Sequence, residues 1–118
     1  MKNFIKSFKY AINGLRQMIF VERNFTIHIA AAFLTIAFCV FLQVSHLELI
    51  TVIICIALVI STEIINSAIE KLCDLVHPAQ HEKIKVIKDI AAAAVLVTAI
   101  AAVVIGMIIF VPKLVLLF

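Results

Sequence analysis

The stretch LELITVIICIALVISTEIINSAIE, residues 47–70, decides how this chain folds. Its residues 49–62 are almost entirely apolar, and three strongly polar side chains then follow at Glu63, Asn66 and Glu70. At about 100° per residue, this spacing puts all three on one helix face, within roughly 60° of one another. Because an ionisable side chain at membrane depth is costly, the stripe predicts a functional site. Two carboxylates with an amide favour a metal or phosphate site.

The composition places the chain in a membrane. It has 118 residues, 65% of them hydrophobic and 14% charged, with a mean hydropathy of +1.24. Soluble domains are about 45–50% apolar and about 25% charged. Only two Gly and two Pro occur, and the alternating pattern of barrel strands is absent, so we expect a single all-α membrane domain over residues 1–118. The three cysteines lack a CxxC spacing and are expected to be free.

Four helical segments are predicted along the chain. Residues 2–23 carry apolar side chains at helical spacing with basic ones between them, which is typical of an amphipathic helix on the membrane surface. The alternative for this helix is a basic anchor that takes no part in chemistry. Three apolar transmembrane spans follow, at residues 27–44, 47–65 and 90–111. Residues 71–89 connect the second and third spans. Pro78 breaks this segment, and the polar stretch after Pro78 is expected to be a loop that enters a surface turn of helix.

Positive charges predict the orientation in the membrane. Residues 2–23 hold five Lys or Arg and residues 71–89 hold four, whereas the turn at residues 43–46 holds none. Cytosolic loops are enriched in Lys and Arg, so we expect the N-terminus and residues 71–89 in the cytosol and Lys113 on the far side. The polar stripe would then lie at the cytosolic boundary.

Groups that can do chemistry accumulate at this boundary. They are Glu22, Glu63, Asn66, Glu70, Asp74 and Asp89, with His81, Lys85 and Lys88 beside them. Carboxylates with an amide suit a hard cation such as Mg²⁺, and nearby basic residues suit phosphate oxygens. A carboxylate that holds no metal can act as general base toward a hydroxyl. The set therefore favours phosphoryl transfer from a nucleotide to a membrane alcohol.

The usual nucleotide-binding motifs are missing. No GxxxxGK[ST], GxGxxG or DFG occurs, and with two glycines in the chain no Gly-rich phosphate loop can form, which counts against a kinase. Two alternatives stay open. A small proton-coupled transporter would place its carboxylate near the bilayer midplane, and a structural or regulatory subunit would not need Glu63 and Glu70.

Several nearby polar residues have a simpler interpretation. Helix ends at a membrane interface are often charged, and we expect Asp74, Glu82 and Lys83 to be solvated there. A packed or interfacial role is the expectation for His28.

Three strings carry a family likeness. They are ERNFTIH at residues 22–28, EIINSAIE at 63–70 and KDIAAAAVL at 88–96, together with Asp74 and His81. The pattern extends from about Phe4 to Phe110 and resembles the prokaryotic diacylglycerol kinase family, which includes the undecaprenol kinases. The resemblance implies a small integral-membrane lipid kinase that uses ATP and Mg²⁺. It also implies a homotrimer in which neighbouring protomers complete the site.

The resemblance implies a role for individual residues. Glu63 matches the catalytic base, which meets the lipid hydroxyl, and Asn66 matches the active-site amide. Glu22 and Glu70 match the carboxylates that hold Mg²⁺ and, through it, the nucleotide phosphates. Residues that match the nucleotide site are Tyr10, His81, Lys88 and Asp89, and those that match the lipid-facing segment are Gly14, Leu15 and Arg16.

Two positions depart from the family pattern. His28 stands where Gram-negative diacylglycerol kinases have an acidic residue, and residues 22–28 are more similar to the undecaprenol kinase branch. Asn3 stands where a relative can have a nucleotide-facing basic residue, so Lys2 or Lys6 would replace it. The acceptor expected from the resemblance is diacylglycerol or undecaprenol. The expected location is the bacterial cytoplasmic membrane, with no nucleic-acid partner.

Overall fold

A computed structural model describes residues 2–79 and 81–118. In this part of the chain there are four α-helices and no strand. They are α1 (Lys2–Val21), α2 (Arg23–Phe41), α3 (His46–Val76) and α4 (Glu82–Leu117). Helices α2, α3 and α4 are each long and apolar enough to cross a membrane. The predicted all-α membrane protein with three spanning helices is confirmed, whereas the surface position of α1 and the trimer stay predictions.

Helices α3 and α4 are longer than the predicted spans. α3 continues past residue 65 to Val76, and α4 begins at Glu82 and not near residue 90. Residues 71–76 and 82–89 are therefore helical, where the sequence predicted a polar connection with a single surface turn of helix, and Gln80 lies outside the described residues. Polar side chains end a membrane span without ending a helix. The helix ends before Pro78, which lies in the short connection between α3 and α4.

The turn between α2 and α3 is specified by local hydrogen bonds. Gln43 adopts a left-handed φ of 52°, and the N–H groups of Gln43 and Val44 donate to α2 carbonyl oxygens at 3.2 Å each, which forms a Schellman motif. Ser45 then caps α3. Its Oγ accepts from the Glu48 N–H at 3.2 Å, and Glu48 Oε1 accepts from the Ser45 N–H at 2.9 Å. This turn sends α3 back alongside α2.

Buried apolar side chains from all three spanning helices meet at the end of the bundle that contains this turn, which we call the far end. Cys39, Val52 and Ile109 are buried together there, one from each helix. The ring centroids of Phe38 and Phe110 lie 6.3 Å apart and join α2 to α4. The opposite end, which contains the α1–α2 junction and the α3–α4 connection, is called the polar end.

Polar contacts at several heights of the bundle join α3 to α4. Lys113 Nζ lies 3.1 Å from Glu48 Oε1 at the far end, and the Oγ1 atoms of Thr62 and Thr98 lie 3.0 Å apart closer to the polar end. Helices in lipid gain little from hydrophobic association, so packing and hydrogen bonds of this kind hold them together. The residue after Thr62 is Glu63, which is therefore held at a defined height along α4.

Glu22 breaks the helix between α1 and α2. Its backbone is extended, with φ −97° and ψ 106°, and the flanking side chains of Met18 and Phe25 are buried. Thr26 Oγ1 donates to the Ile19 carbonyl oxygen at 3.2 Å across the break. The break sets the Glu22 carboxylate at the polar end, beside the last turns of α3.

Candidate active site at the polar end

The polar stripe of α3 is mostly buried inside the chain. Glu63 and Asn66 are 6% and 8% exposed, and Ser67 beside them is 3% exposed. The Asn66 Nδ2 group donates to Glu70 Oε1 at 3.2 Å, one helical turn away. The spacing that predicted a shared helix face therefore produces a direct contact between Asn66 and Glu70.

One buried atom of the stripe has no partner within the described residues. Asn66 Oδ1 is shielded from solvent and accepts no hydrogen bond there. Buried polar atoms of native proteins nearly always have a partner, and an exception calls for an explanation such as a missing ion or ligand. Asn66 Oδ1 and the Glu70 carboxylate together offer the oxygen donors that a hard cation prefers.

His28 is a neighbour of Glu63 that the sequence analysis missed. Its Nε2 lies 3.6 Å from Glu63 Oε2, which is longer than a hydrogen bond but within ion-pair range. The His28 side chain is 31% exposed and that of Glu63 is 8% exposed. The sequence placed His28 near the start of a span, but nothing in it reveals which side chain of another helix would lie opposite.

Three ion pairs surround the stripe. They join Lys71 Nζ to Glu22 Oε1 at 3.0 Å, Lys88 Nζ to Asp74 Oδ1 at 2.5 Å and Lys85 Nζ to Asp89 Oδ2 at 2.7 Å. Asp74 was expected to be merely solvated, but it links α3 to α4 through Lys88. The hydrogen bond to Asp74 raises the pKa of Lys88 above its usual value, and that to Asp89 does the same for Lys85. Both lysines precede the predicted span at residues 90–111.

A cavity of about 390 Å³ lies between the end of α3 and the start of α4. Two of the residues matched to the nucleotide site, His81 and Lys88, line it together with Asp74. His81 also caps α4, because its Nδ1 accepts from the Lys83 N–H at 3.1 Å. Six charged or ionisable side chains of both signs thus border one space at the polar end, because His77, Glu82 and Lys85 also line it.

Other predicted site residues are not brought to the stripe within this chain. Tyr10 and Arg16 are exposed on α1, which contacts α2. Gly14 is also open, since a Cβ added there would meet no atom within 4 Å. The Glu22 carboxylate, matched to Mg²⁺ together with Glu70, is engaged by Lys71. Among the described residues, no three Asp, Glu, His or Cys side chains gather closely enough to hold a metal ion.

An apolar groove of about 500 Å³ opens beside the stripe. Its walls come from α2, α3 and α4, and it extends from His28 at the polar end to Phe110 at the far end. Small side chains widen it, namely Ala31 and Ala32 on α2 and Ala99, Ala102 and Gly106 on α4. The groove therefore connects the hydrocarbon depth of the bundle to the side chain that touches Glu63.

Comparison with known proteins identifies the family. The profile of the family described as Prokaryotic diacylglycerol kinase matches residues 9–110. Undecaprenol kinase from Bacillus subtilis (strain 168) is 39% identical over 115 residues, which cover 97% of this chain and 93% of that protein. Diacylglycerol kinase from Synechocystis sp. (strain ATCC 27184 / PCC 6803 / Kazusa) is 39% identical over 116 residues, covering 95% of this chain and 65% of that protein. The chain belongs to the prokaryotic diacylglycerol kinase family.

Proposed function

We propose that this protein is a lipid kinase that transfers the γ-phosphoryl group of ATP to the hydroxyl of a membrane lipid. The observation that carries the proposal is the buried Glu63 carboxylate, held by α3 next to the residue where the apolar groove ends. A lipid whose hydrocarbon chain lies in the groove would bring its hydroxyl to the polar end. The names of the two relatives support a lipid acceptor.

Glu63 is the proposed general base. Its carboxylate removes the proton of the acceptor hydroxyl, and the oxygen forms a bond to the γ-phosphorus while the bond between that phosphorus and the β,γ-bridging oxygen breaks. ADP leaves with the electron pair, and the proton stays on Glu63 until solvent takes it. Burial keeps competing water away from the reacting oxygen.

The nucleotide is proposed to bind at the polar end beside Asn66 and Glu70. Glu70 and Glu22 would hold Mg²⁺, which when bound neutralises charge on the phosphate oxygens. The unpartnered Asn66 Oδ1 supports this placement, because the buried amide oxygen has no donor within the described chain. Glu22 must exchange Lys71 for the ion, and Lys71 then becomes available to a phosphate.

The cavity beside α4 is the proposed place of further nucleotide contacts. His81 and Lys88 line it, while Asp89 lies close by in its ion pair with Lys85. Lysine ammonium groups attract phosphate oxygens as point charges, and raised pKa values keep them charged. Tyr10 would complete this contact from α1 of a neighbouring copy in a homotrimer, since Tyr10 is exposed in the single chain.

Arg16 on α1 is proposed to contact the acceptor at the membrane surface. It lies on the exposed side of a helix whose apolar residues would enter the interface. The protein is proposed to reside in the cytoplasmic membrane with its polar end toward the cytosol, as the distribution of Lys and Arg predicts. ATP would then arrive from the cytosol and the lipid laterally from the bilayer.

The proposal is tested with purified protein in lipid vesicles that contain γ-labelled ATP and Mg²⁺. Undecaprenol and diacylglycerol are supplied in parallel vesicles, and lipid-extractable label is measured over time. The kinase proposal requires label in at least one lipid, and the faster substrate identifies the acceptor. No labelled lipid with either acceptor would contradict it, and a transporter or a non-catalytic subunit would give that result.

A further inference from the structure

His28 occupies the junction between the apolar groove and the candidate base. It lines the groove, and its Nε2 lies 3.6 Å from Glu63 Oε2. Glu63 itself does not line the groove. His28 is therefore a residue that both lines the groove and lies beside the Glu63 carboxylate.

The contact with His28 affects the orientation of Glu63, because few other groups can hold this carboxylate. In the described part of the chain, His28 is the one basic side chain within 4 Å of the Glu63 carboxylate. A buried carboxylate without a donor is costly and free to rotate about its last torsion. A ring N–H directed at Oε2 fixes that torsion and leaves the other carboxylate oxygen available to a hydroxyl. The 3.6 Å separation is typical of catalytic contacts that shorten when substrate binds.

We propose that His28 is a positioning residue for phosphoryl transfer. Its Nε2–H orients the Glu63 carboxylate at the polar end of the groove. This inference rests on the proposed role of Glu63 as general base. His28 itself takes no proton from the acceptor and touches no phosphate.

The first test compares His28→Leu with His28→Gln in the lipid phosphorylation assay. Leu removes the donor at similar bulk, and we expect kcat to fall about 10- to 100-fold with little change in the KM for ATP. Gln keeps an N–H at comparable reach and should retain most of the activity. His46→Leu is the matched control, because His46 is an exposed histidine at the far end of α3, and its activity should equal that of the parent.

The second test asks whether His28 acts through Glu63. Adding His28→Leu to Glu63→Gln should cause no further loss of the residual rate, because a residue that only positions the base has nothing left to position. If the rate of the double variant falls by the product of the two single losses, the inference is overturned. So would wild-type kcat in His28→Leu.

Folding is controlled within the same series. If His28→Leu does not fold, His28→Asn replaces it, since Asn keeps the amide but is too short to reach Oε2 as Gln does. The inference then requires His28→Gln to phosphorylate lipid at least tenfold faster than His28→Asn. Equal rates of the two variants would refute it. Absence of lipid phosphorylation by the parent protein would instead refute the proposed function itself.

Discussion

The two ends of the bundle use the same kinds of polar residue in opposite ways. At the far end, Glu48 accepts from the Ser45 N–H at 2.9 Å and pairs with Lys113 at 3.1 Å. At the polar end, Glu63 has one basic neighbour at 3.6 Å, and Asn66 Oδ1 has no partner within the described residues. Glu48 Oε1 thus has two partners in its own chain, whereas the buried Asn66 Oδ1 of the polar stripe has none within the described residues.

The difference separates a structural polar site from a functional one. A polar group that serves the fold finds its partners inside the chain, because an unmet hydrogen bond in a membrane is costly. A group that serves a ligand must keep capacity for it, and natural proteins tolerate such local violations at functional sites. Substitutions at one end or the other therefore test whether activity and stability respond separately.

The largest effect is expected from Glu63→Gln. The amide keeps the size of the side chain but cannot take a proton, so the rate of lipid phosphorylation should fall at least about 100-fold. ATP affinity and thermal unfolding temperature should stay close to those of the parent. Initial rates with labelled ATP, together with equilibrium ATP binding, measure both properties. Substantial residual turnover would refute the base assignment.

Glu70→Gln should weaken Mg²⁺-dependent ATP binding by about tenfold or more, since one carboxylate ligand is lost. Calorimetric titration of ATP with and without Mg²⁺ measures this directly. Without Mg²⁺ the variant and the parent should bind alike. If the variant gains as much affinity from Mg²⁺ as the parent does, Glu70 is not a ligand.

Asn66→Ala should lower activity about tenfold while changing stability little. Removing an acceptor that has no partner loses no hydrogen bond at Oδ1, and only the 3.2 Å bond to Glu70 is given up, which is worth about 1 kcal/mol. Thermal unfolding and phosphorylation rates are measured on one preparation. If the variant is less stable but keeps its activity, Asn66 serves the fold and not the reaction.

Glu48→Gln is expected to have the smallest effect on activity. It weakens the pair with Lys113 and should lower the thermal unfolding temperature only slightly, because solvent screens partly exposed ion pairs. A double-mutant cycle with Lys113→Met isolates the coupling between the two side chains. A coupling near zero would show that the far end depends on packing alone.

The sequence predicted the fold better than the arrangement of the site. Long apolar runs define the three spans, but the helices extend beyond those spans, to Val76 in α3 and from Glu82 in α4, because polar residues leave a membrane while remaining helical. The Asn66–Glu70 contact follows from spacing along a single helix. The contact of His28 with Glu63 depends on how two helices are rotated against each other, and no local pattern encodes that rotation.

Some residues that the resemblance matched to the site lie apart from the polar stripe in the single chain. Glu22 was matched to a metal site with Glu70, yet Lys71 holds it in the single chain. Tyr10 and Arg16 lie exposed on α1, so their proposed contacts depend on substrate or on a neighbouring copy. Such contacts are decided between molecules and are not visible in the periodicity of one chain.

The polar end of α3 is proposed to perform phosphoryl transfer, and the far end is proposed only to maintain the fold. The most direct measurement is the initial rate of lipid phosphorylation by Glu63→Gln and Glu48→Gln, prepared identically, because each variant replaces one carboxylate of the same helix. We expect at least about a 100-fold loss for Glu63→Gln and a rate within about twofold of the parent for Glu48→Gln. Equal losses in the two variants, or parental activity in Glu63→Gln, would contradict it.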